Sequence, residues 1–152
     1  MSAPFRTPDV VIGGHDRPYL RRWHLIPRNR WFNIYLHHFL RSDDDRALHD
    51  HPWWNASILL RGRYREHVRL SGGGTIQRVR RLGCVYLRRA EQAHRVELLP
   101  DGQGGEMPVW TLFLTGPKIR EWGFLCPAGW RHWMDYVRQV PGGNEIGEGC
   151  RQ

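Results

Sequence analysis

Apolar and polar residues alternate over short stretches along most of this chain, and glycine and proline cut the stretches apart. Alternation with period two marks a half-buried strand, because successive side chains leave opposite faces of the backbone. Thr75 to Arg80 and His94 to Leu99 show it most plainly, and Val109 to Thr115 is enriched in the β-branched and aromatic residues that suit a pleated surface. The same reading predicts strands over Asn33 to Leu40, Trp54 to Leu60, Arg63 to Leu70, Val85 to Arg88 and Glu121 to Leu125. Gly72-Gly73-Gly74, Pro100-Asp101-Gly102 and Gly116-Pro117 are the breaks. No stretch carries the period of a long amphipathic helix; Trp133 to Val140 has room for a turn or two. Short strands at this spacing predict an all-β domain built as a sandwich, barrel or jelly roll.

With 152 residues the chain is long enough for one domain with a real core and too short for two ordinary ones. The expected organisation is an irregular arm over 1–18, a single domain over 19–140 and a glycine-rich tail over 141–152. The formal net charge of +8 is carried almost wholly by arginine, since Lys118 is the sole lysine. That balance permits nucleic acid, anionic lipid or acidic small molecules as partners. Arginines interleaved with tryptophans would serve nucleic acid by charge and stacking, but no recognised nucleic-acid motif is present, so nucleic acid is not the expected partner. Cys84, Cys126 and Cys150 are few and widely spaced, which reads as free thiols in a reducing compartment rather than a disulfide framework. Met1 to Gly14 lacks the apolar core of a signal peptide, and no run is long enough to span a bilayer. A soluble cytoplasmic protein with no membrane partner is the expectation.

The most specific feature is a set of three histidines. In a strand, His49 and His51 project to the same face while Asp50 points away, toward solvent or an arginine. His94 opens another strand and supplies a third imidazole. Neutral imidazoles suit iron, zinc, copper and nickel alike, so the donor set proposes a divalent metal without naming it.

The surrounding spacing resembles the cupin superfamily. His49-x-His51 is followed after three residues by Asn55 and after six more by Gly62. Gly83 is followed after five residues by Arg89-x-Glu91, after two more by His94 and after three more by Leu98. The resemblance implies a double-stranded β-helix, a jelly-roll barrel with metal in its mouth held by His49, His51 and His94. It also implies pairing of barrels into a homodimer. The chain departs from the family pattern where Asn55 replaces a glutamate ligand, Arg89 a proline, Glu91 a glycine and Leu98 an asparagine. Loss of the glutamate leaves three histidines, the set that cupin-type thiol and diketone dioxygenases place on iron.

Around that site, Glu91 is a candidate fourth ligand or base, and Tyr64 and His132 are candidate acid/base groups. Asn55, Trp53 and Arg95 are candidates for the substrate pocket, Asn55 also for orienting a ligand histidine or water. Arg61, Arg63, Arg88 and Arg89 lie near the motifs and could hold a carboxylate or phosphate. Trp110, Phe113, Trp122 and Phe124 read as core that could narrow a cavity, and His37-His38 as structural, with only one facing inward. Asp43-Asp44-Asp45 lacks the spacing of a calcium loop. The favoured function is a mononuclear Fe(II)-dependent dioxygenase acting on a small polar or anionic substrate. A non-redox isomerase or lyase using Zn, Mn or Ni, and a non-catalytic ligand- or nucleic-acid-binding cupin, are the alternatives.

Overall fold

The computed structural model describes residues 6–43, 47–141 and 143–150. Its two principal sheets are antiparallel and six-stranded. The first contains, in spatial order, β1 (Val10–Ile12), β2 (Leu20–His24), β3 (Asn33–Phe39), β10 (Val109–Thr115), β5 (Asn55–Arg61) and β8 (Val85–Arg88). The second contains β12 (Gly129–His132), β11 (Gly123–Cys126), β4 (Leu48–His49), β9 (His94–Leu98), β6 (Tyr64–Arg69) and β7 (Thr75–Arg80). A one-turn helix, α1 (Trp133–Tyr136), leads into a hairpin of β13 (Val137–Val140) and β14 (Gly143–Ile146).

Alternation builds the interior. Val109, Thr111, Phe113 and Thr115 of β10 are buried in step, as are Asn55, Ser57 and Leu59 of β5 and His94, Val96 and Leu98 of β9. Leu59, Tyr64, Val96, Leu98 and Val109 pack together with Phe39; Leu59, Leu98 and Val109 belong to the filled end of the sandwich, and Tyr64, Val96 and Phe39 also border the cavity. The turn from β5 to β6 depends on Gly62. Its φ is +85°, and a Cβ there would stand 3.0 Å from both the Pro108 carbonyl oxygen and a Val109 methyl. The opposite end is left open as a cavity of about 430 Å³ lined from both sheets.

Each strand expected from the sequence is present, with ends displaced by at most two residues. Several elements were not expected. Within the segment read as an irregular arm, β1 pairs with β2 and lines the cavity. Within the tail, β14 pairs with β13, and the Asn144 carbonyl accepts from the Gly13 amide, so the two ends of the chain meet at the cavity. Residues 1–5, 142, 151 and 152 of the expected arm and tail, and Asp44 and Asp45, lie outside the described residues. The helix is a single turn because Val137 takes extended geometry.

The expectation of three free thiols is corrected. Cys126, ending β11, is joined to Cys150, with their α-carbons 5.4 Å apart across 24 residues of chain. Only Cys84 is free among the described residues, and it is exposed. Spacing could not reveal the pair, because it is the packing of β12, α1 and the final hairpin that brings the two thiols together. Closing a loop of this length restricts the unfolded chain by about 3 kcal/mol. Cys150→Ser should therefore lower the unfolding free energy by about that amount in a urea titration; an unchanged midpoint would show that the bridge does not constrain the chain.

Candidate metal centre

The three histidines converge. His49 ends β4 and pairs in register with His94 at the start of β9. His51 follows the end of β4, its amide donating to the Ala90 carbonyl while that of Asp50 donates to Gly123. Residue-by-residue alternation thus continues past the strand, and the His49 and His51 rings meet edge to face with centroids 5.1 Å apart. One ligand nitrogen from each of His49, His51 and His94 lies within 4.8 Å of the others. The Nε2 atoms of His51 and His94 are 2.9 Å apart. Two nitrogens bound to one ion at 2.0–2.1 Å sit about 3 Å apart, so the donor set fits a divalent metal ion with little movement. His51 is further held by Trp53, whose ring stacks on it at 5.0 Å and 12°.

Behind His94 lies a residue that sequence reasoning missed. Glu66, on the inward face of β6, has no solvent exposure. Its Oε1 is 2.7 Å from His94 Nδ1, a close approach off the ring N–H direction, and accepts a 2.5 Å hydrogen bond from Arg88 Nε. Its Oε2 pairs with Arg80. Arg88 spreads its remaining donors to Ser57 Oγ (3.0 Å), Asn55 Oδ1 (3.3 Å) and Tyr64 Oη (3.4 Å). The carboxylate therefore stands on the side of His94 away from Nε2. That is the placement by which an acidic partner orients a metal-binding imidazole. Burial would raise the Glu66 carboxyl, but His94 and Arg88 override it and hold it well below its ordinary range.

The other candidates divide into those that reach the cavity and those that do not. Trp53 and Tyr64 line it, as do Phe113, Trp122 and Phe124. Burial pushes the Tyr64 phenol up to about 12, so it is a proton donor and not a base near neutrality. Asn55 is fully buried, but its carbonyl faces Arg88 and it does not line the cavity, so it supports the site from behind. Arg95 neighbours His94 on β9 and so faces the other way, toward His67 Nε2 at 3.1 Å. Glu91 is exposed in the turn between β8 and β9 and lines a separate surface cleft. His132 caps α1 by accepting from Met134 and pairs with Glu121 at 3.1 Å, which occupies both ring nitrogens outside the cavity. Trp110 lies on the outer face, stacked on Trp23 and His38. Asp50 does turn away from the histidines and meets Arg120 at 2.8 Å, though buried rather than solvated.

No family profile matches the sequence, and no curated protein matches it. Solved structures do. HppE in its iron(II) form with substrate aligns with a TM-score of 0.55 at 13% identity, over 76% of this chain and 59% of that one. A double-stranded β-helix protein from Klebsiella pneumoniae aligns at 0.52 and 13%, over 81% and 97%. An oxalate decarboxylase variant from Bacillus subtilis aligns at 0.50 and 14%, over 65% and 25%. The chain has the cupin fold. It spans a quarter to three-fifths of the length of the oxalate decarboxylase and HppE chains, and all of these likenesses are of fold. Among the described residues, no helix is long and apolar enough to cross a membrane.

Two outcomes follow for the metal-free protein. Burial, with Arg88 adding to it, lowers His94 to about 4; burial and the neighbouring histidines depress His51, and burial and Arg22 depress His37. The unfolded chain takes up protons near pH 6.5 that the folded chain refuses, so stability is full above that pH and declines as pH falls toward 4. Thermal unfolding scanned from pH 7 to 4 should show this decline, and a flat profile would contradict the burial of these rings. Glu66→Gln leaves Arg80 and Arg88 without their counter-charge and should cost about 3–5 kcal/mol in chemical denaturation.

Proposed function

We propose that this cupin is a mononuclear metal-dependent enzyme acting on a small molecule, with Fe(II)-dependent dioxygenase chemistry as its reaction type. The observation that carries the reading is the convergence of His49, His51 and His94 on one point in the wall of a largely apolar cavity. Those three residues would hold the ion. When bound, iron(II) supplies a Lewis acid and one-electron chemistry with dioxygen.

The remaining work falls to the chain's own residues. Glu66 fixes the ring of His94, and Trp53 fixes that of His51. Phe113, Trp122 and Phe124 keep bulk water from the three imidazoles. Tyr64 keeps its proton near neutrality and can donate it to a bound molecule. The likeness in fold to the iron(II) form of HppE is consistent with iron. Zinc, manganese or nickel in the same three imidazoles would give Lewis-acid chemistry instead, as in an isomerase or lyase. A homodimer remains part of the proposal; a cytoplasmic location does so without its argument from free thiols, since Cys126 and Cys150 are bridged.

Elemental analysis of anaerobically purified protein is the test. About one iron per chain, lost in His49→Ala, His51→Ala and His94→Ala, is expected from a three-imidazole site. Asn55→Ala should keep its metal, because Asn55 stands behind the site. Full occupancy in both His49→Ala and His94→Ala would overturn the assignment; stoichiometric zinc, manganese or nickel in place of iron would move the reading to the non-redox enzyme.

A further inference from the structure

Across the cavity from the histidines, the first sheet presents a polar row of its own. Arg22 of β2 is in register with His37 of β3, and His37 with Thr111 of β10. All three line the cavity. His37 and Thr111 are buried, at 3% and 2% exposure. An arginine, a histidine and a threonine side by side on three inward strand faces are costly unless something pairs with them.

The protein supplies few of those partners. Arg22 donates from Nε to His37 Nε2 at 2.8 Å, and its guanidinium carbon lies 4.7 Å from the centre of the Tyr35 ring. No carboxylate among the described residues pairs with it. The other arginine lining the cavity, Arg88, is occupied by Glu66, Ser57, Asn55 and Tyr64. Asp43, the one carboxylate among the described lining residues, accepts from the Val96 amide at 2.8 Å and lies 4.0 Å from His49. Because His37 accepts from Arg22 through Nε2, a neutral His37 carries its proton on Nδ1, and that buried donor has no partner. The Thr111 hydroxyl is also buried without one. The His37 ring is fixed by stacking on Tyr35 and Phe113. The result is a cation held by His37, with no anion supplied by the described residues.

We infer that Arg22, held in place by His37, binds the carboxylate of a small substrate with help from Thr111, and that the substrate's apolar body fills the cavity. The guanidinium donates to a planar two-oxygen group along its free edge, where a neutral amide would leave the charge uncompensated. Phe113 stands between the row and the metal histidines, its ring centre 4.8 Å from that of His37 and 6.1 Å from that of His51. A carboxylate anchored on one wall thus directs the other end of the molecule toward the three imidazoles. That last consequence rests on the metal-enzyme reading; the binding itself does not.

Calorimetric titration of the full chain with benzoate and benzamide, which share a shape and differ in charge, tests the inference. Benzoate should bind wild-type protein at least about tenfold more tightly than benzamide, the scale of a charge-assisted pair. Arg22→Gln should abolish that preference, and the near-isosteric Thr111→Val, which keeps the arginine, should reduce it about threefold to tenfold. His94→Ala should retain it. Equal binding of the two probes, no saturable benzoate binding, or a preference that survives both Arg22→Gln and Thr111→Val would overturn the inference. So would a preference lost in His94→Ala, which would place the anion on the metal. Metal content measured on the same samples reads the metal assignment separately, so either can fail alone.

Discussion

A fully buried carboxylate holds the two sheets together. Glu66 draws on Arg80 from β7, Arg88 from β8 and His94 from β9, and Arg88 carries the contact onward to Asn55 and Ser57 of β5. Removing two arginines and a glutamate from water is expensive, and their mutual attraction offsets that only when each group is well placed. The cluster is therefore a demanding way to gain stability. What it does achieve is position. β8 lies at one edge of the first sheet and β7 at one edge of the second, and the cluster fixes both relative to the strand that delivers His94.

The interior is divided by chemistry as much as by shape. One end is apolar and filled, around Leu59, Leu98 and Val109. The other is hollow, with imidazoles on one wall and a guanidinium on the facing wall. Its remaining lining is largely apolar, with aromatic rings at Phe39, Phe113, Trp122 and Phe124 and aliphatic side chains from the two ends of the chain. Register is what keeps these walls apart. A slip of one residue between β2 and β3 would turn Arg22 outward and bring Trp23 into the cavity, since neighbouring residues leave opposite faces.

Much of this was legible in the sequence, for physical reasons that differ from residue to residue. The strands with one apolar and one polar face declared themselves through alternation. β2 did not, because its polarity is inverted: Arg22 faces in, while Trp23 faces out and is buried by Trp110 and by a hydrogen bond to the Arg6 carbonyl. His49, His51 and His94 stood out by spacing. Glu66 could have been found, since it shares the inward positions of β6 with Tyr64 and Val68, where a carboxylate needs a reason. The same rule places Arg95 outside, one residue from His94. Glu91 and His132 were beyond alternation, since a turn and a helix cap decide where they point. The disulfide, and the lack of a carboxylate for Arg22 among the described residues, depend on which strands become neighbours, which local pattern does not contain.

The stacking of Trp53 on His51 has a consequence of its own. An indole in van der Waals contact with an imidazole has its excited state quenched when that ring becomes cationic or binds a redox-active ion. Trp53 lies over the ring that would change, at 5.0 Å and nearly parallel to it. Its emission, one contribution among those of eight tryptophans, is thus the component of the intrinsic fluorescence that responds to what occupies the histidines.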